Sequence, residues 1–307
     1  MAEIIIGTRS SQLATTQTKL VVDQLATEFP EHQFKLQEIT TKGDQVLDKA
    51  LAEIGGKGLF IKEIEVALLE EEIDLAVHSL KDMPSDLADQ FEIAAIPKRS
   101  NPLDVLISNG DKSLDQLPEG AKIGTGSLRR KSQLLNYRSD LEVVPIRGNI
   151  DTRLKKLATQ DLDAIVLAAS GLLRMGWEDK ITHYLDPVNS LPAVGQGALA
   201  IETRAGDERI KEILTAINDP VTTRLVTAER SFLARLDGNC KVPIGAYAQL
   251  ESGKMLLTGM VGRTDGTKLI REQLTGELDQ ATELGNKLAD KLIKQGAKDI
   301  LAEAREE

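Results

Sequence analysis

The chain has 307 residues, of which 41% are hydrophobic and 28% charged, so it has ample apolar material for a core and is not largely disordered. Its 48 acidic and 38 basic residues give a formal net charge of −10, and only 3% are aromatic, which disfavours general binding to nucleic acids or anionic membranes. One cysteine excludes an intramolecular disulfide, and the first residues lack the pattern of a signal peptide. We therefore expect a soluble, cytoplasmic protein that binds any anion through local arginines.

The N-terminal two thirds of the chain repeat one pattern: a short apolar run, a small polar or glycine-rich turn, and apolar residues at helical spacing. Alternating strands and helices predict α/β sheets with substantial parallel pairing. Two such series in tandem predict two similar domains with a ligand cleft between them. The predicted strands are Ile4–Ile6, Phe34–Ile39, Ile73–Val77, Phe91–Ile96, Val105–Ile107, Lys122–Ile123, Leu141–Ile146 and Ala164–Leu167.

The pattern changes beyond Leu199. Residues 207–217 and 220–236 are predicted helices, and a last helix is predicted over 279–295. Between them, three alternating runs are separated by glycine-containing turns, which predicts an antiparallel three-stranded sheet. The runs are Ala246–Leu250, Met255–Val261 and Leu269–Thr275. We interpret this region as a separate α+β domain.

Basic residues recur where a predicted strand ends and a helix begins. Ligands bind at such turns in open α/β sheets, helix N-termini favour anions, and arginine pairs with carboxylate or phosphate through two parallel hydrogen bonds. Each residue alone is most simply a solvated surface cation, but the set indicates a polyanionic ligand. The set is Arg9, Lys81, Arg129, Arg130, Arg147 and Arg153.

Two further residues could carry chemistry. Asp82 follows a strand beside Lys81, where it could stabilise a cationic intermediate, and a turn or capping aspartate is an equally good interpretation. Cys240 lies in a predicted loop beside Lys241, so its thiolate could be a nucleophile or a covalent anchor. A lone cysteine is more often a small buried hydrophobe. The three histidines show no metal-ligand spacing, so no metal site is predicted.

Seven segments are distinctive as an ordered set along the chain. They are Ile6–Ala14 (IGTRSSQLA), Gly55–Phe60 (GGKGLF), Ala76–Pro84 (AVHSLKDMP), Ile123–Arg130 (IGTGSLRR), Arg147–Leu154 (RGNIDTRL), Pro192–Ala198 (PAVGQGA) and Gly238–Gly245 (GNCKVPIG). In this order the segments resemble the porphobilinogen deaminase family, also called hydroxymethylbilane synthases. The resemblance covers essentially the whole chain.

The resemblance implies two domains like those of periplasmic binding proteins, with a ligand cleft between them, and a C-terminal α+β domain with a three-stranded antiparallel sheet. Domain 1 would comprise residues 1–97 and 198–217, and domain 2 residues 98–197. Domain 3, residues 218–307, would carry the cofactor cysteine. The chain would cross between the first two domains near residues 98–102 and 192–199.

The resemblance also implies a transferase of porphyrin, haem and other tetrapyrrole biosynthesis. Such an enzyme deaminates four porphobilinogen molecules and joins them head to tail on a covalent dipyrromethane cofactor, releasing linear hydroxymethylbilane and ammonia. A thioether to Cys240 would hold the cofactor. The implied protein is a cytoplasmic monomer whose partner is porphobilinogen, with no nucleic acid, membrane or metal.

Roles for individual residues follow from the same resemblance. Asp82 would be catalytic, holding pyrrole N–H groups and stabilising the cation left by ammonia, while Lys57 and Phe60 would belong to a lid. Cofactor or substrate would be bound by Arg9, Ser11, Ser79, Lys81, Thr125, Ser127, Arg129, Arg130, Arg147, Asn149, Arg153, Arg174 and Gln196. The alternative is a soluble receptor for a small polyanion, which the same arginines would serve. Asp82, Cys240 and the third domain favour the enzyme.

Overall fold

The computed structural model describes residues 3–41, 61–238 and 242–306. The chain divides into two compact units, Met1–Ser100 with Ala198–Thr223 and Asn101–Gly197 with Arg224–Glu307. Among the described residues, no helix combines the length and the hydrophobicity that a membrane span requires. The cleft expected between two domains stays a prediction.

The first unit contains a five-stranded sheet in the order β2-β1-β3-β10-β4. Its strands are β1 (Glu3–Arg9), β2 (Gln33–Ile39), β3 (Leu75–Ser79), β4 (Phe91–Ala95) and β10 (Leu199–Arg204). β1 is parallel to β2 and β3, whereas β10 is antiparallel to β3 and β4. Parallel neighbours present their carboxyl ends at one edge, so the residues after β1 and β3 lie near each other.

Helices cover both faces of this sheet. They are α1 (Gln12–Glu28), α2 (Lys62–Leu69) and α6 (Glu208–Thr215). Val21 of α1 and Ile210 of α6 share a buried cluster with Ile4 and Val77, while Ile64 of α2 packs with residues of the opposite face, such as Ala76. Successive strand residues point to opposite faces, so Val77 and Ala76 enter different clusters.

The second unit contains a sheet in the order β7-β6-β8-β5-β9. Its strands are β5 (Asp104–Ser108), β6 (Lys122–Gly124), β7 (Glu142–Val144), β8 (Ala164–Ala168) and β9 (His183–Tyr184), and its helices are α3 (Leu128–Tyr137), α4 (Ile150–Thr159) and α5 (Ala169–Arg174). β6 is parallel to β7 and β8, and β5 is antiparallel to β8 and β9. Each sheet thus has three parallel strands followed by an antiparallel one, which confirms the predicted pair of α/β domains.

The predicted C-terminal meander is confirmed. β11 (Ile244–Glu251), β12 (Lys254–Gly262) and β13 (Leu269–Gly276) are antiparallel in sequence order, and helices α7 (Pro220–Arg235), α8 (Ala281–Lys294) and α9 (Ala297–Glu306) accompany them. A Cβ on Gly259 would lie 2.6 Å from Phe232 Cζ, so glycine there lets α7 pack directly on β12. The division of this region as a third domain over 218–307 stays a prediction.

Three elements were not predicted from the sequence: β9, β10 and α9. β9 has only two residues. β10 has a weak sequence signal because Glu202 and Thr203 are polar, yet both are fully buried in the sheet. α9 follows Gly296, which adopts φ 95° and separates it from α8. Short elements, and strands that contain buried polar residues, show little hydrophobic periodicity in the sequence.

Candidate active site

The carboxyl ends of β1 and β3 bring four predicted site residues together. Arg9 ends β1 and Ser11 is the N-cap of α1, while Ser79 ends β3 and Asp82 lies in the 3₁₀ turn that follows. All four line an open depression of about 450 Å³, a volume that includes space open to solvent. Leu13, Ala14, Gln17, Ile61, Val77, His78 and Met83 complete its lining. These four residues therefore bring one cation, two hydroxyls and one carboxylate to the depression.

Hydrogen bonds hold the segment that carries Asp82. The side-chain amide of Gln17, which is buried in α1, lies with Nε2 3.1 Å from Ser79 Oγ. Leu80 N donates to Ala198 O at 3.0 Å, and Met83 N donates to Leu80 O at 3.1 Å. These contacts fix the turn while the side chain of Asp82 stays exposed and that of Lys81 half-buried.

A buried acid–histidine pair stands behind this depression, and it was missed from the sequence. His78 Nε2 lies 2.8 Å from Glu202 Oε2, and the two side chains are 5% and 0% exposed. Burial, followed by the charge of Glu202, raises the pKa of Glu65 on α2, so a second carboxyl lies near the pair. The only sequence signal was the position of His78 immediately before Ser79.

In the second unit, Arg129 and Arg130 are buried and not solvated. Both guanidinium groups contact Asp104, the first residue of β5: Arg129 NH1 is 2.7 Å from Oδ2, and Arg130 NH2 is 2.7 Å from Oδ1. Ser190 Oγ donates to Oδ2 at 2.9 Å, and Gln196 Nε2 donates to Oδ1 at 2.9 Å. Backbone carbonyls also accept from the two arginines, at Leu191 and Val166. We call the side chains of Asp104, Arg129, Arg130, Ser190 and Gln196 the Asp104 cluster.

The Asp104 cluster contains two guanidinium groups for one carboxylate. Burial alone would raise the pKa of Asp104, but the charges and hydrogen bonds of Arg129 and Arg130 outweigh it and hold this pKa well below its ordinary value. Arg129 Nε is buried and has no hydrogen-bond partner among the described residues. An uncompensated buried cation with a vacant donor favours a negatively charged ligand nearby.

The ends of β6 and β7 bring further predicted residues to one edge of the second sheet. Thr125 Oγ1 accepts from Ser127 N at 3.3 Å, and Ser127 caps α3 by accepting from Arg130 N. Arg147 follows β7 and is half-buried, while Asn149 is exposed at the N-cap of α4. These residues form a polar edge, with the N-termini of two helices beside it.

Arg153, Arg174 and Gln196, all predicted site residues of this unit, also donate to backbone carbonyls. Arg153 Nε donates to Gly148 O at 2.8 Å, Arg174 NH2 donates to Gly197 O at 2.7 Å, and Gln196 Nε2 donates to Pro102 O at 2.6 Å. Burial lowers the pKa of Arg174 to about 10, so it remains a cation at neutral pH. Each side chain is thus oriented by the chain itself before any ligand binds.

Three predicted functional residues, Lys57, Phe60 and Cys240, lie outside the described residues. Within the described part of the chain, no group of three or more His, Cys, Asp or Glu side chains has the arrangement of a metal site.

Two family models match the chain. "Porphobilinogen deaminase, dipyromethane cofactor binding domain" matches residues 4–212, and "Porphobilinogen deaminase, C-terminal domain" matches residues 223–294. The chain is similar to porphobilinogen deaminase of Brevibacillus brevis, with 54% identity over 98% of this chain and 97% of that one. It is 52% identical to porphobilinogen deaminase of Bacillus cereus over 100% of this chain and 99% of the relative.

Solved structures give a weaker likeness. The methionine binding protein MetQ is 14% identical, with a TM-score of 0.46 over 70% of this chain and 89% of that chain. The strand orders of the two sheets, and not this likeness, define the fold class.

Proposed function

The chain belongs to the porphobilinogen deaminase family, and we propose that it is a transferase that deaminates four porphobilinogen molecules and joins them head to tail. Its products are linear hydroxymethylbilane, a precursor of porphyrins and haem, and ammonia. The observation that carries this proposal is the match to both domain models together with full-length relatives. The depression of the first unit supports it, because Asp82 lies there with Arg9 and two serine hydroxyls.

The family's dipyrromethane cofactor fits the residues present. Pyrrole side chains of this substrate end in carboxylates, and the Asp104 cluster has one guanidinium more than it has carboxylates and a vacant Arg129 donor. We propose that Cys240 holds the cofactor through a thioether, because a thiolate is the strongest nucleophile among protein side chains. When bound, the cofactor supplies the free pyrrole carbon onto which substrate is added.

Asp82 has the role of an electrostatic stabiliser. Its carboxylate accepts hydrogen bonds from pyrrole N–H groups and stabilises the positive charge that develops on the substrate as ammonia leaves. Asp82 can also pass a proton to the departing amine.

The cationic side chains bind carboxylates. In the first unit these are Arg9 and Lys81, with the hydroxyls of Ser11 and Ser79 as additional donors. In the second unit the proposed ligand-binding residues are Thr125, Ser127, Arg129, Arg130, Arg147, Asn149, Arg153, Arg174 and Gln196. Arg174 is assigned to the incoming substrate. Its guanidinium already donates to Gly197 O, which fixes its direction.

We further propose a cytoplasmic monomer of three domains, with boundaries as predicted, in which Lys57 and Phe60 belong to a lid over the bound substrate. The acidic composition and low aromatic content support a protein that does not bind nucleic acid. A receptor for a small polyanion is the competing function. Ammonia release on incubation with porphobilinogen tests the choice: the enzyme releases it, and binding without release would establish the receptor.

A further inference from the structure

The proposed function leaves one buried titratable pair without a role. His78 and Glu202 lie on the face of the first sheet that packs against α2, and His78 also lines the depression with Asp82 and Arg9. Glu202 is fully buried, and its second oxygen, Oε1, has no hydrogen-bond partner among the described residues. A buried carboxylate so poorly solvated is costly, so the contact with His78 is its principal compensation.

The geometry determines which ring nitrogen is available. Nε2 faces Glu202 Oε2 at 2.8 Å, so in the neutral ring the proton belongs on Nε2, where it can be donated to the carboxylate. Nδ1 then keeps its lone pair. A buried acid that fixes the tautomer of a histidine and compensates its positive charge is the arrangement that makes histidine an effective base.

The proposed reaction requires such a base. Each coupling forms a C–C bond at the free α-carbon of the terminal pyrrole ring, and the hydrogen on that carbon must then leave as a proton so that the ring regains aromaticity. Ammonia is released in the same cycle. The proton and ammonia together make ammonium, so the cycle balances without a further reactant, but the proton needs an acceptor beside the ring.

We propose that His78 Nδ1 accepts this α-proton, with Glu202 as the positioning residue that fixes the Nε2–H tautomer and compensates the charge of the imidazolium. The C–H bond breaks and its electron pair returns to the ring. The imidazolium then gives the proton to ammonia or to water. Asp82 remains beside the ring nitrogen atoms. Among the described residues, Glu65 of α2 lies close enough to the pair for Glu202 and His78 to affect its pKa, and Lys62 lies near Glu65. This inference rests on the proposed function.

The tautomer can be measured without turnover. The chain has only three histidines, so ¹⁵N-histidine labelling of the holoenzyme gives three rings, and His78→Gln identifies the signal of His78. We expect the neutral form of the ring to carry its proton on Nε2 in the wild type, and an altered signal in Glu202→Gln. A neutral ring protonated on Nδ1, or a His78 signal unchanged by Glu202→Gln, would overturn the proposal.

Kinetics test the transfer itself. His78→Gln keeps an amide that can donate to Glu202 but cannot accept a proton, so we expect single-turnover elongation to fall by about 100-fold or more. Porphobilinogen with deuterium on its free α-carbon should then show a primary isotope effect from the second addition onward, and added imidazole should restore part of the rate. His183→Gln, an exposed histidine in β9, is the matched control and should behave as wild type.

A rate within tenfold of wild type in His78→Gln, or a slow rate with neither isotope effect nor rescue, would overturn the proposal. If His78→Gln does not fold, the same measurement is made on Glu202→Gln. An isotope effect in that variant supports proton transfer to His78, and its absence refutes it. A different result would refute the proposed function itself: wild-type protein that neither carries a chromophore nor releases ammonia.

Discussion

Asp104 Oδ1 accepts two hydrogen bonds from Arg130, at 3.0 Å from Nε and 2.7 Å from NH2, and this bidentate contact joins the start of β5 to the first turn of α3. Asp104 simultaneously contacts Arg129, Ser190 and Gln196. One buried carboxylate thus positions two proposed cofactor-binding arginines and the segment that leaves the second unit.

Replacing this carboxylate should strongly destabilise the protein. In Asp104→Asn, two buried guanidinium groups lose their counter-charge, and breaking a buried ion pair from one side costs about 3–5 kcal/mol. Urea unfolding at neutral pH measures the loss. Asp161→Asn is the control, because Asp161 pairs with Lys122 at 2.6 Å but its side chain is 92% exposed, so water screens the pair and we expect a much smaller loss of stability. Equal effects in the two variants would contradict the assignment.

The stabilisation by Asp104 should depend on pH in one direction. The native pKa of Asp104 is held below its ordinary value, so below about pH 4 the unfolded chain takes up a proton that the native protein does not. The stability advantage of the wild type over Asp104→Asn is therefore complete at neutral pH and shrinks as the pH falls below about 4. Unfolding of both proteins across this range measures it. An advantage that grows on acidification would refute this coupling.

Asp82→Asn separates chemistry from binding. The amide keeps the volume and some hydrogen bonds but removes the charge that stabilises the developing cation, so turnover should fall by at least about 100-fold. The covalent chromophore and the fold should persist, which mass spectrometry and circular dichroism would show. Turnover within tenfold of wild type would rule out the proposed role of Asp82.

The arginines should act on particular steps of elongation. If Arg9, Arg147 and Arg153 each pair with a carboxylate on a different ring, replacing one by leucine removes roughly 1.5–3 kcal/mol from one step more than from the others. Each variant should therefore accumulate a different covalent intermediate, distinguishable by mass after brief incubation with substrate. Arg235→Leu, an exposed arginine paired with Asp290, should show the wild-type series. If all three site variants show the same series of covalent intermediates, only formed more slowly, the arginines supply a diffuse electrostatic field and do not each bind a particular ring.

For Arg129→Leu and Arg130→Leu we expect a different result from that of the three variants above, because both residues belong to the Asp104 cluster. We expect these variants to retain less cofactor and less stability, since the remaining arginine and Asp104 are buried without their full set of partners.

Local patterns explain what the sequence could predict. Apolar runs followed by small polar turns predicted both α/β sheets, and the position of a residue after a strand placed Arg9 and Asp82 at one edge. The parallel order of strands makes such placement possible, because the carboxyl ends of neighbouring strands coincide.

Long-range polar pairs could not be predicted in this way. Asp104 and Arg129 are 25 residues apart, and His78 and Glu202 are 124 residues apart, with no periodicity that links them. Glu202 also weakened the strand signal of β10, which the sequence did not predict as a strand. Only the folded chain shows that these charges are buried against each other.

The mass of the intact, denatured protein tests the central claim most directly. A thioether survives denaturation, so wild-type protein should exceed its polypeptide mass by that of a linear dipyrrole, whereas Cys240→Ser should carry no addition because a hydroxyl is a far weaker nucleophile than a thiolate. Unmodified wild-type protein after reconstitution with porphobilinogen would contradict the account.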